Sequence, residues 1–133
     1  MRILYLLATL LCLSFGAWAQ SVQSACTDVE HAIEGGDAAK LFPYFGSTVD
    51  LRILETENVY GNAQAQVLLS NFFTSHPPAS FVVAHRKLRS DNSFFIGTYI
   101  SNANSYRISV FLKTEQDKTR ISQILIQNSG LGS

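Results

Sequence analysis

Ile3 through Phe15 is almost wholly apolar, broken by Thr9, Cys12 and Ser14, and beyond residue 20 the chain changes to patterns with two faces. Val22, Cys26, Val29 and Ile33 are spaced four, three and four apart, the signature of a helix with one buried stripe. Thr27 and Glu30 also match a capping box, which offers Thr27 as an alternative start for the regular helix. Gly35-Gly36 ends it, because glycine accepts the left-handed backbone of a helix C-cap. Asp37 is placed to cap a short second helix through Phe42, closed by Pro43. Val49, Leu51 and Ile53 alternate with Asp50 and Arg52, the period of a half-buried strand. Glu55 to Asn58 reads as a polar turn and Val59-Tyr60 as a brief return strand. Asn62 is placed to cap a third helix, whose broad apolar face carries Ala65, Leu68, Leu69, Phe72 and Phe73. Pro77-Pro78 stops that helix.

Four strand-like runs follow, at residues 81–88, 93–101, 105–113 and 120–127. The links between them, Ser90-Asp91-Asn92, Asn102-Ala103-Asn104 and Glu115-Gln116-Asp117-Lys118, are short and polar. Such links make hairpins, so the runs predict an antiparallel meander. Helices before a meander define an α+β fold, with the helices as one layer and the sheet as the other. Phe94, Ile96 and Ile100 share one side of their strand and Phe95 and Tyr99 the other. Tyr106, Ile108, Val110 and Leu112 lie opposite Arg107, Ser109 and Phe111. Both sheet faces therefore hold large apolar groups. The face away from the helices is expected to expose some of Phe95, Tyr99 and Phe111, or else Phe94, Ile96, Tyr106 and Ile108, the choice depending on strand register. A patch of that kind is best covered by a second copy of the chain, so a homodimer through the sheet is expected.

The first nineteen residues read as a secretory signal. Met1-Arg2 starts it, the apolar run is its core, and Ala17-Trp18-Ala19 places small residues where signal peptidase cuts. A bilayer span needs roughly 20 apolar residues, more than this run supplies. Lipidation is disfavoured, because Cys12 lies within the apolar core and Cys26 lacks the expected leucine before it. The expected mature chain is residues 20–133, a single α+β domain in the periplasm or outside the cell. Ten Lys and Arg less Arg2 leave nine, against ten Asp and Glu, a formal charge of −1. That balance provides no field to attract nucleic acid or a membrane surface. The basic run Arg86-Lys87-Leu88-Arg89 divides between two faces of a strand. Only Cys26 survives cleavage, so no internal disulfide forms, and a lone cysteine at helical spacing reads as a small buried side chain.

Catalytic and metal motifs are missing. His31, His76 and His85 are far apart, and none belongs to a zinc motif. His31 falls on the charged side of the first helix. His76 stands at a helix end, where the backbone dipole favours it. His85, mid-strand, is the histidine placed to serve a pocket near neutral pH. Asp50 reads as exposed and Asp91 as a turn former. No serine sits in a nucleophile elbow, and Gly35-Gly36 lacks the Lys and Ser/Thr of a phosphate loop. No catalytic residue, cofactor or metal is assigned. His85, Tyr99, Tyr106 and Phe111 are the candidates for a ligand pocket or interface.

The stretch from Asp28 to Gln127 resembles a family of exported proteins of unknown function seen mainly in Bacteroidetes. The resemblance rests on the order of Ile33-Glu34-Gly35-Gly36-Asp37-Ala38, Tyr44-Phe45, Val49-Asp50-Leu51, Val59-Tyr60-Gly61-Asn62-Ala63-Gln64-Ala65, and Phe72-Phe73 before Pro77-Pro78. That family is similar in fold to the nuclear transport factor 2-like, or cystatin-like, superfamily. The resemblance implies a cone-shaped, curved antiparallel sheet wrapped around a long helix, and domains that often pair sheet to sheet. It implies no activity, because that superfamily includes ketosteroid isomerases, dehydratases, transport adaptors and assembly domains. Two classes are therefore carried forward. The first is a non-catalytic module binding a small ligand or an envelope protein; the alternative is a small enzyme of the isomerase or dehydratase type using the cone pocket. A pocket carboxylate or histidine facing open space would favour the enzyme.

Overall fold

Helix α1 (Ala17–Glu34) carries its apolar stripe inward: Val22, Cys26, Val29 and Ile33 are buried, with Ala25 and Ala32 beside them. The computed structural model describes residues 17–129, with side chains from Ser21 onward. Most of the expected signal, residues 1–16, and the tail from residue 130 lie outside them. The helix runs unbroken through Thr27, so the capping box does not start it. Val22 is fully buried upstream of that box, and packing of the whole stripe outweighs a local capping preference. At the other end Gly36 has φ 63. Its N–H donates to the Ile33 carbonyl at 3.0 Å, and the Asp37 N–H donates to that of Ala32 at 2.8 Å. These two bonds form a Schellman cap.

Asp37 accepts from the Lys40 N–H at 3.3 Å and caps α2 (Ala38–Leu41). Pro43 does not close this segment. It lies inside a 3₁₀ turn, Phe42–Tyr44, whose first residues need no N–H. The turn leads into β1 (Phe45–Ile53) and then β2 (Thr56–Gly61). Glu55 to Asn58 is thus mostly strand and not turn. Ile53 pairs with Thr56 across Leu54-Glu55, and Leu54 takes φ 56. β2 is an edge strand exposed along most of its length, so it lacks the alternation that marks a half-buried strand. Helix α3 (Asn62–Ser75) has Gly61 at its cap position. Asn62 is its first residue and accepts from the Ala63 N–H at 2.7 Å.

Strands β3 (Ser80–Lys87), β4 (Asn92–Ser101), β5 (Asn104–Glu115) and β6 (Lys118–Asn128) form the antiparallel meander. Asn102-Ala103 and Gln116-Asp117 make its last two turns, all four residues with positive φ. This is the type I′ backbone, which matches the twist of paired strands. The sheet has six strands and not four, in the order β2-β1-β6-β5-β4-β3. β1 joins β6 in parallel, so the sheet is mixed. Register shifts interrupt β1, β3 and the β5–β6 pair, and such bulges bend a sheet. α1 packs on β3, β4 and β6, and α3 on β1 and β2, all on one face.

Register separates the faces cleanly. Phe95 pairs with Val110, and Tyr99 with Tyr106. Phe95, Tyr99, Tyr106, Ile108, Val110 and Leu112 therefore share the inner, helix-covered face, and all are buried. Phe94 pairs with Phe111, Ile96 with Ser109, and Ser109 with Leu125. These lie on the outer face with Val82, Thr98 and Arg107. Both sets expected to be exposed mixed the two faces, because the alternation of one strand does not reveal its offset from the next. Arg86 lies on the inner face opposite Phe95 and reaches α1, where its Nη2 is 2.6 Å from the Glu30 carboxylate.

Cys26 and Tyr99 are sealed in this core, and that gives the fold an alkaline limit. Burial, with a smaller push from the Glu30 charge, raises the Cys26 thiol from 9.0 to about 11, against a small opposing effect of Arg86. Burial and then the neighbouring Tyr106 raise the Tyr99 phenol from 10.0 to about 12. Both groups hold their protons more tightly folded than unfolded. Their stabilisation is complete below the unfolded values and is lost as pH rises through the folded ones. The urea midpoint is expected to fall between pH 9 and 11, and to fall less steeply in Cys26→Ala. A midpoint unchanged to pH 11 would contradict the burial of both groups.

Candidate functional site

A cavity of about 270 Å³ opens where the β1–β2 hairpin faces α3. Leu51, Ile53 and Leu54 come from β1 and its turn, and Thr56 and Tyr60 from β2. The helix supplies Leu68, Asn71, Phe72 and Ser75, and His76 closes the set just beyond its end. Steps of three and four residues bring these side chains to one helix face. The lining is mainly apolar and contains no carboxylate, lysine or arginine. Its ionisable side chains are Tyr60 and His76.

His76 is held on several sides. Its ring stacks on Phe72 with centroids 4.6 Å apart and planes 23° apart. The ring of Tyr106 meets it at 5.2 Å and 75°. The Nδ1 atom lies 3.2 Å from the Phe72 carbonyl oxygen, which also accepts the His76 backbone N–H at 2.8 Å. A carbonyl only accepts, so in the neutral ring this contact assigns the proton to Nδ1 and leaves Nε2 as the acceptor. The backbone carbonyl of His76 accepts from the Tyr99 hydroxyl. Pro77-Pro78 follows directly, so the chain cannot continue as helix and leaves the imidazole at the cavity.

The four candidate site residues are divided by the sheet. Tyr99 and Tyr106 are cross-strand partners on the inner face, behind His76. His85 and Phe111 are on the outer face. His85 is exposed and pairs with Ile96; the ring centroid of Phe111 lies 6.1 Å from that of Phe94. His31 is exposed on α1. Asp50 is on the outer face, receiving the Gln123 amide at 3.3 Å, and Asp91 accepts from the Asn92 N–H in its turn. His76, read as a helix-end residue, is the histidine that lines the cavity. Its position four residues after Phe72 was the available signal, since i,i+4 aromatic residues meet on a helix. Among the described residues no group of three His, Cys, Asp or Glu is placed to hold a metal ion.

The leading helices, the meander and the cavity between helix and hairpin give this chain a fold that resembles the nuclear transport factor 2-like folds. A structure described as an NTF-2 like protein of unknown function, from Burkholderia xenovorans LB400, is similar with a TM-score of 0.65, covering 84% of each chain. At 14% identity that likeness concerns the fold alone. The chain belongs to the family described as Domain of unknown function (DUF4783), whose profile matches residues 26–127. A family member from Bacteroides fragilis YCH46 is 32% identical, with a TM-score of 0.72 over 77% of this chain and 96% of that one. Another, from Bacteroides uniformis ATCC 8492, is 29% identical, with a TM-score of 0.74 over 77% of this chain and 95% of that one. No curated protein matches the chain.

Proposed function

We propose that this protein is an exported, non-catalytic binding domain whose cavity takes one small, uncharged, largely apolar ligand. The observation that carries this reading is the lining: leucines, Ile53 and Phe72 with a few neutral polar groups, and no fixed charge. Ligand sites are typically apolar hollows of about 300–1,000 Å³ with a few oriented polar atoms, and this one, of about 270 Å³, is just below that range. An isomerase or dehydratase would need a second proton-transferring group beside His76. His76 at the cavity is the feature that speaks for the enzyme, and Tyr60 is the one other proton-transferring side chain in the lining; with no carboxylate beside them, the enzyme is kept as the second reading. Export rests on Ala17-Trp18-Ala19, with a periplasmic or extracellular destination. Leu68→Trp tests the site by filling it from α3. Calorimetry with 2-methylnaphthalene is expected to give saturable binding to the native protein and none to a folded Leu68→Trp variant. Equal binding to both would place the ligand elsewhere.

The outer face of the sheet favours a second, compatible role in self-assembly. One row across it runs Val59, Asp50, Gln123, Phe111, Phe94, Lys87, and the next Glu57, Arg52, Leu125, Ser109, Ile96, His85. The centre is mainly apolar, one end carries Asp50 and Glu57 with Arg52 between them and the centre, and the other carries Lys87 and His85. A twofold axis along the strands near the centre would bring the Asp50 and Glu57 end of one copy over the Lys87 end of the other. Sedimentation equilibrium at tens of micromolar is expected to show a dimer that Phe111→Glu dissociates. A native monomer throughout that range would remove the second copy from the account.

A further inference from the structure

Granting the ligand cavity just described, we infer that its occupant carries a hydroxyl group whose hydrogen is received by Nε2 of His76. Nδ1 is turned to the Phe72 carbonyl, which assigns the proton of the neutral ring to Nδ1. Nε2 is then a lone-pair acceptor, and it has no hydrogen-bond partner among the described residues. The ring cannot easily turn to change these roles. Phe72 stacks on one face, Tyr106 meets it at right angles, and the Tyr99 hydroxyl holds the backbone of the same residue.

The other neutral groups are less suited to discriminate. Asn71 and Ser75 are exposed, so water satisfies them whether or not a ligand is bound. Thr56 is exposed on the edge strand. Tyr60 is half-buried, and its hydroxyl both donates and accepts, so it accommodates either kind of partner. Neutral His76 is half-buried, fixed in direction and limited to accepting at Nε2. A pre-oriented acceptor in an apolar hollow selects a donor, because a ligand without one leaves the nitrogen unpaired. The expected class is an aromatic or alicyclic alcohol of about bicyclic size: apolar on most of its surface, with one hydroxyl at the His76 end.

Three naphthalene probes test this: 2-naphthol and 2-methylnaphthalene, which are equal in shape, and the larger, charged 2-naphthoate. 2-Naphthol is expected to bind about five- to tenfold tighter than 2-methylnaphthalene, the range of one hydrogen bond. His76→Phe keeps the stacked ring and removes the acceptor, so it should equalise those two. In ¹⁵N-histidine spectra of the native protein, 2-naphthol should shift Nε2 while Nδ1 keeps its proton; this readout stands even where His76→Phe fails to fold. Equal binding of 2-naphthol and 2-methylnaphthalene to the native protein overturns the hydroxyl assignment and leaves the apolar cavity standing. Tighter binding of 2-naphthoate also overturns it, by showing a donating ring. Failure of all three probes to bind overturns both the inference and the reading beneath it.

Discussion

Phe95→Ala is expected to cost about 3–5 kcal/mol of folding stability, the range for truncating a large buried aromatic residue. Phe95 is 0% exposed, on a central strand, between Val110 and Arg86 in the inner row. The Phe81 ring meets it edge-on at 6.3 Å, and α1 crosses the same strand. Strand neighbours fixed by backbone pairing cannot close over the space a lost ring leaves, so a cavity term adds to the lost burial. Its sequence neighbour Phe94 is the control. Phe94 is half-buried on the outer face, against Phe111. Phe94→Ala should shift the urea midpoint by less than half as much, at an unchanged slope. Equal losses from the two variants would contradict the assignment of faces.

The second large effect is at Gly97, where a single methyl group meets two obstacles. A Cβ there would lie 2.6 and 2.7 Å from Phe81 ring carbons and 2.8 Å from the Val82 carbonyl oxygen. The carbonyl belongs to the paired β3 backbone and cannot step aside without breaking the β3–β4 ladder. The ring is a core group, 7% exposed. Overpacking of this kind costs about 1–3 kcal/mol, and Gly97→Ala is expected near the top of that range. Adding Phe81→Leu should return part of the loss, because the ring contact is relieved while the carbonyl contact remains. A double variant whose loss is simply the sum of the two singles would show that the ring is not the obstacle.

What the sequence revealed follows the reach of each signal. The α1 stripe, the α3 face and the four meander strands repeat within short windows, and the structure places each within a few residues of its expected span. Gly35-Gly36 and the hairpin links were legible because a left-handed residue or a two-residue turn is a local requirement. The parallel join of β1 to β6 was not, since it connects residues some 70 positions apart by backbone pairing. β2 was partly hidden because an exposed edge strand has no side to keep apolar. The relative register of β4 and β5 decided which aromatic residues faced outward, and neither strand's own alternation contains it.

The candidate site shows the same limit. Tyr99 and Tyr106 were legible as large inward groups, and they lie behind the cavity wall. His85 drew attention as a mid-strand histidine, but the extra residue between Val83 and His85 leaves it on the outer face. His76 looked ordinary because a helix end explains a histidine without any pocket. Its importance comes from Phe72, Tyr99 and Tyr106, two of which arrive from strands far along the chain.

Methyl-resolved ¹H–¹³C spectra recorded while 2-methylnaphthalene is added would test the binding reading most directly. Shifts are expected to saturate and to concentrate on the methyl groups of Leu51, Ile53, Leu54 and Leu68, leaving Ile96 and Leu125 on the outer face unmoved. Shifts centred on Ile96 and Leu125, or none up to the solubility of the probe, would contradict the account.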